Sequence, residues 1–151
     1  MPSSSRKQKG LSKAGNGPAG IALIVEDNVF SQRVAASLLK QLNYTTHIAR
    51  NGREAVEFVR HNHYCFILMD CHMPEMDGLE ATAAIRQMEK TTGSHVPIFG
   101  FSADFEDASC LAVGMDAFVG KPIEMEVLKR VLSQFVEQAN DARTCPVLQN
   151  C

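Results

Sequence analysis

Three acidic residues have the types and spacing to hold a divalent cation: Glu26, Asp27 and Asp70. Each follows a short apolar run. Ile21-Ala22-Leu23-Ile24-Val25 leads into Glu26-Asp27-Asn28, and Phe66-Ile67-Leu68-Met69 leads into Asp70. Runs of this length and composition read as strands buried on both faces, as inside a parallel sheet. Two further runs end on groups suited to phosphate. Val96-Pro97-Ile98-Phe99-Gly100-Phe101 ends in Ser102-Ala103, and Ala117-Phe118-Val119 is followed by Gly120-Lys121-Pro122. In an open parallel sheet all these carboxyl ends share one edge, where ligands bind. Three carboxylates gathered there repel one another unless a cation joins them. All-oxygen ligation suits Mg²⁺ (or Mn²⁺), which takes one or two carboxylates, waters and a phosphate oxygen. A lysine and a hydroxyl suit the other phosphate oxygens. An aspartate can attack phosphorus and become an acyl phosphate. The residues therefore argue for cation-dependent phosphoryl transfer onto an aspartate, by charge neutralisation and positioning. Taken singly, each has a plainer reading: Asp70 as a strand end, Ser102 as a helix N-cap, Lys121 as a surface lysine, Phe118 as core.

The rest of the chain supplies the elements that would hold these residues. A helix starts at Asp27 or Asn28 with Val29, Val34, Leu38, Leu39 and Leu42 on its apolar face, and Asn43 ends it. Thr45–Ala49 alternates with polar residues and reads as a strand near an edge. After the Asn51-Gly52 turn a helix carries Ala55, Val56, Phe58 and Val59, closing at His61-Asn62-His63, a solvated end. A turn is expected at Met73-Pro74, and Asp77 caps a third helix through Leu79, Ala83, Ile85 and Met88. Thr91-Thr92-Gly93-Ser94 ends it. A short helix is expected near Phe105–Val113, stopped by Gly114. The last helix uses Val127, Leu128, Val131, Leu132, Phe135 and Val136. Five βα units in series predict a five-stranded parallel α/β sheet with right-handed crossovers and helices on both faces.

Composition bounds the reading. The 151 residues suit one domain with a real core. Residues 1–19 are rich in Ser, Gly and Lys and read as a disordered linker or extension, 20–138 as the domain, and 139–151 as a C-terminal tail. The net charge of −2 hides an uneven distribution. Arg6, Lys7, Lys9 and Lys13 precede residue 20 without an acid, so the folded part is the more acidic and does not suggest nucleic-acid binding. No apolar run approaches the ~20 residues of a membrane-spanning helix, and the basic N-terminus has no apolar stretch of a signal peptide. Cys65, Cys71, Cys110, Cys145 and Cys151 form no C-x-x-C pair, so a reduced protein with incidental thiols is expected.

Glu26-Asp27-Asn28, the block Met69-Asp70-Cys71-His72-Met73-Pro74-Glu75-Met76-Asp77-Gly78, Ser102-Ala103 and Lys121-Pro122 together resemble the receiver domain of two-component response regulators. Glu80-Ala81-Thr82 and Ile85-Arg86 make the resemblance closest to receivers of hybrid histidine kinases. It covers about residues 20–138 and implies the flavodoxin-like strand order 2-1-3-4-5. It implies that Asp70 is the phosphoacceptor. Asp27 and Asp70 would bind Mg²⁺ directly, Glu26 would hold it through water, and the His72 backbone carbonyl would be a further ligand. Lys121 would pair with the phosphoryl group, and Ser102 would bond a phosphoryl oxygen and move toward it. Phe118 would be the aromatic that turns inward when Ser102 moves. Lys121-Pro122 matches the family's cis-proline junction. His72, its side chain exposed, and Asp104 sit where rim residues affect attack by water on the acyl phosphate; Asp104 is expected to place that water.

One departure stands out. Only 18 residues separate Ser102 from Lys121, about one helical turn fewer than such receivers have, so the helix between the fourth and fifth strands is expected to be shortened. The function implied is a phospho-accepting switch, not a conventional enzyme, although it would catalyse its own phosphorylation and dephosphorylation. The donor would be a histidine kinase or histidine-phosphotransfer protein, with no nucleic acid or membrane bound by this domain. A cytoplasmic monomer or weak dimer is expected, alone or as the cytosolic part of a larger hybrid kinase. The alternative is a constitutive interaction module with the same fold; the intact acid set argues against it, and the shortened helix for it. A phosphatase acting on small substrates would need a cleft and a separate acid/base, and neither is evident.

Overall fold

Successive residues of a strand face opposite sides of the sheet, and the buried runs sort accordingly. In the computed structural model, which describes residues 20–73, 76–102 and 113–137, five strands form. They are β1 (Gly20–Val25), β2 (Tyr44–Ala49), β3 (Phe66–Asp70), β4 (Ile98–Ser102) and β5 (Ala117–Gly120). All pair in parallel in the order β2-β1-β3-β4-β5, as expected from the alternation of strands and helices. Ala22, Ile24, Phe66, Leu68, Phe99 and Phe101 point to one face. There they meet Ala35 and Leu39 of α1 (Val29–Gln41) and Leu128, Val131 and Leu132 of α4 (Met125–Leu132). Leu23, Val25, Ile67, Met69 and Ile98 point to the other. That face is covered by Ala55 and Val56 of α2 (Gly52–His61) and Ala81 and Ile85 of α3 (Gly78–Thr92). The apolar contacts on both faces supply the stabilisation that fixes the positions of the strand ends.

Local signals set the helix limits. Asn28 accepts from Ser31 N and Asn51 from Glu54 N, each capping a helix start. Asp77 and Glu80 form a reciprocal capping box at the start of α3. Gly93, at φ 76°, ends α3 in the left-handed region that favours glycine. Asn43, at φ 72°, follows the end of α1 and leads into β2. After α4 the chain continues as a π-helical turn over Ser133–Glu137, so the expected last helix is divided.

Some expectations shift. Val29 is exposed rather than on the apolar face of α1, whose buried positions are Gln32, Ala35 and Leu39. Ala83 is exposed, and Thr82 is buried in its stead. Cys65 is disulfide-bonded, which corrects the expectation of incidental reduced thiols; Cys71 is buried. Cys65 lies at the amino edge of β3, packed among residues of the α1/α4 face, rather than in solvent. The Met73-Pro74 turn, the tails and nearly all of the helix expected near Phe105–Val113 fall outside the described residues.

Candidate functional site at the carboxyl edge

Two neighbouring strand ends carry the acids. Glu26 leaves β1 with its N–H donating to Ala49 O at 3.0 Å, and its Oε2 accepts from Asn28 N at 3.0 Å. Asp70 ends β3, and its Oδ1 accepts from His72 N at 3.1 Å. Glu26 is 1% exposed and Asp70 3%, while Asp27 stands open to solvent. One carboxylate oxygen from each of Glu26, Asp27 and Asp70 lies within 4.8 Å of the others. The loop after Asp70 is stitched down by Gly52 N to Met76 O at 3.0 Å and Gly78 N to Cys71 O at 3.3 Å. At Gly78 an added Cβ would sit 2.2 Å from Asp70 O, so only glycine lets α3 start this close to β3.

The cation comes from β5. Lys121 N donates to Ser102 O at 2.9 Å, and the Lys121–Pro122 peptide is cis. Its ammonium lies 3.0 Å from Glu26 Oε1 and 3.5 Å from Asp70 Oδ2, and 5.0 Å from the centre of the Phe101 ring. Burial alone would lower the pKa of Lys121; Glu26 and Asp70 more than offset this and hold it above its ordinary value. Asp27 is pushed up, first by partial loss of water and then by its hydrogen bond to Glu26 and the charge of Glu26, against the opposing pull of Lys121. Glu26 Oε1 is fully covered yet takes no hydrogen bond: Lys121 approaches it as a charge, outside hydrogen-bonding geometry.

That donor set fits Mg²⁺. Its ligand atoms are all oxygens, two of the acids are buried, one buried oxygen lacks a hydrogen bond, and all three carboxylates lie close enough to share one cation. Ser102, 2% exposed, ends β4 beside Lys121 across the β4–β5 pairing. Phe118 is half-buried on β5, opposite Gly100 of β4 and against the α2/α3 face. The His72 side chain is exposed at the rim, as expected. The fold thus gathers Glu26, Asp27, Asp70, Ser102 and Lys121 at one edge; Asp104 lies outside the described residues.

Two groups that bear on the site escaped the sequence reading. Gln32, in the first turns of α1, donates from Nε2 to Glu26 O at 2.7 Å. Arg86 of α3 donates to Gly114 O, Val96 O, Glu89 and Asp116 at 2.8–2.9 Å and so ties the approach to β5 to α3. Spacing gives no signal for either, since each reaches a backbone carbonyl whose place depends on tertiary packing.

Residues 22–133 match the response regulator receiver domain family. Hybrid signal transduction histidine kinase B of Dictyostelium discoideum is 46% identical over 114 residues, covering 68% of this chain and 6% of that protein. Probable histidine kinase 1 of Oryza sativa subsp. indica is 36% identical over 146 residues, covering 76% of this chain and 15% of that protein. The chain therefore spans only a small part of the length of these curated relatives. Among solved structures, the receiver domain of sensor histidine kinase PA1611 from Pseudomonas aeruginosa, with a magnesium ion in its active-site cleft, is similar at TM-score 0.72 and 33% identity. It covers 79% of this chain and 98% of that one. A co-crystal structure of Saccharomyces cerevisiae Ypd1, a histidine phosphotransfer protein, with the receiver domain of Ssk1 gives TM-score 0.74 and 28% identity, over 80% of this chain and 90% of that one.

Proposed function

From the premise that this chain belongs to the response regulator receiver domain family, we propose that it accepts a phosphoryl group on Asp70 in a two-component phosphorelay. The observation that carries this reading is the Lys121 ammonium set between the buried Glu26 and Asp70, with the exposed Asp27 alongside, at the carboxyl edge. Glu26, Asp27, Asp70 and the His72 carbonyl would hold Mg²⁺, which supplies charge neutralisation for the phosphoryl oxygens when bound. An Asp70 carboxylate oxygen attacks phosphorus in line, the P–N bond of a partner phosphohistidine breaks, and the imidazole leaves. Lys121 takes up charge on the transferred group, and the Ser102 hydroxyl bonds one of its oxygens. Phosphorylation then shifts a two-state equilibrium in which Ser102 moves and Phe118 turns inward. Asp104 and the His72 side chain set how fast water removes the phosphoryl group.

The donor is a histidine kinase or a histidine-phosphotransfer protein, consistent with the Ypd1 complex of a similar receiver. Val29 and Phe30, the latter 76% exposed, give such a partner an apolar foothold one turn from Asp27. No helix among the described residues is long and apolar enough to cross a membrane; the similarity to hybrid kinases is what suggests a place in the cytosolic part of such a protein. The test is phosphorylation by acetyl phosphate with and without Mg²⁺, read by intact mass on wild type and Asp70→Asn. A phosphate-sized gain that needs Mg²⁺ and vanishes in Asp70→Asn is expected. A gain that persists in Asp70→Asn would refute the assignment. If neither acetyl phosphate nor a phosphohistidine donor modifies the wild type, the chain is a constitutive interaction module instead.

A further inference from the structure

Glu26 and Asp70 are both fixed by Lys121, but the place of Asp27 depends on the backbone that carries it. That backbone is the short joint between β1 and α1. Asn28 N donates to Glu26 Oε2, Ser31 N donates to Asn28 Oδ1, and Gln32 N donates to Asn28 O. The Glu26 carbonyl is the next link, and it begins the peptide that leads to Asp27. Its hydrogen bond comes from Gln32 Nε2 at 2.7 Å, in a buried setting six residues along the chain. Gln32 itself is only 9% exposed and occupies a position on α1 where an apolar residue would serve packing alone. A buried carbonyl that loses its donor is left unsatisfied, a cost that rotation toward water would relieve. Here that rotation would turn the 26–27 peptide and carry the Asp27 carboxylate away from Glu26 and Asp70.

We propose that Gln32 is a positioning residue for the cation site, its amide fixing the Glu26–Asp27 peptide so that three carboxylates converge before any ion arrives. This rests on the Mg²⁺-dependent reading above. Lys121 offsets the repulsion between Glu26 and Asp70, but Asp27 makes no such pair among the described residues, so its place depends on a brace to the backbone, and Gln32 supplies it from the helix. Groups that orient a ligand without touching the metal typically change affinity by about tenfold or more when lost.

The experiment is calorimetric Mg²⁺ titration of the full chain, after thermal melts show each variant folded at the working temperature. Gln32→Met keeps the length and removes the donor, and its Mg²⁺ dissociation constant is expected to rise by roughly tenfold. Gln32→Glu separates positioning from charge: an added carboxylate near the site would tighten cation binding by charge alone, whereas loss of the donor weakens it. Weaker binding in both variants supports the proposal. Unchanged binding in Gln32→Met, or tighter binding in Gln32→Glu, overturns it. If Gln32→Met does not fold, Gln32→Leu, which likewise removes the donor and keeps the position apolar, takes its place with the same expected weakening. Wild type that binds no Mg²⁺ would instead overturn the underlying reading, and the proposal with it.

Discussion

Replacing Arg86 by methionine should destabilise the domain far more than a surface charge change would. The guanidinium is 15% exposed and lies 2.8 Å from both Glu89 and Asp116, which are 11% and 20% exposed. It also serves the carbonyls of Gly114 and Val96 at 2.9 Å. Methionine fills much of the volume, so the loss is electrostatic rather than a cavity. The two acids keep other donors: Val96 N on Glu89, Ile98 N and His95 on Asp116. What is lost is the shared cation and the donors to two carbonyls. Removing one partner of a buried ion pair costs about 3–5 kcal/mol, and the remaining donors place this site near 3 kcal/mol. For a domain of this size that is a fall in Tm of roughly 10 °C. Chemical and thermal denaturation at neutral pH would measure it. Adding Glu89→Gln to Arg86→Met should recover part of the loss, since one uncompensated charge is then gone. A loss below about 1 kcal/mol, the range of exposed pairs, would refute the reasoning. So would a double variant no more stable than Arg86→Met.

At the site itself, Asp27 has a raised pKa, so the metal-free folded state binds more protons than the unfolded chain as pH rises past the ordinary carboxylate range. That costs stability at neutral pH. Asp27→Asn should therefore raise the Tm of the metal-free protein and reduce the gain on adding Mg²⁺, which at a hundredfold excess over Kd amounts to about 2.7 kcal/mol in wild type. Scanning fluorimetry with and without Mg²⁺ reads both effects, and an unchanged Mg²⁺ gain would refute the ligand role. Gly78→Ala should cost about 3 kcal/mol or more, as overpacking against backbone does, and should slow phosphorylation of Asp70 because the clash falls on its carbonyl; a denaturation curve matching wild type would count against this packing. Burial pushes Tyr64 up to about 12, and Lys121 is raised above 10.5. Both groups hold their protons longer folded than unfolded, so stability should fall as pH rises above about 10. Tyr64→Phe should flatten part of that fall, measured by urea melts along the alkaline range.

The sequence by itself determined the strand ends and what stands on them. Apolar runs closing on Glu26-Asp27, Asp70, Ser102 and Lys121 are local signals, and a parallel sheet brings such ends to one edge whatever the loops do. The caps at Asn28 and Asp77 were equally legible, because a cap acts within one turn of its own residue, whereas Asn51 read only as a turn and proved to cap α2. Tertiary structure decided the rest. It buried Gln32 and exposed Val29 and Phe30, since periodicity alone does not say which turns of a helix the sheet covers. It bridged Arg86 to Asp116 and brought Lys121 to Glu26, pairs too distant in sequence for any spacing to reveal. It also put Cys65 in a disulfide where the chain suggested reduced thiols, because spacing along the chain does not say which cysteines come within bonding distance.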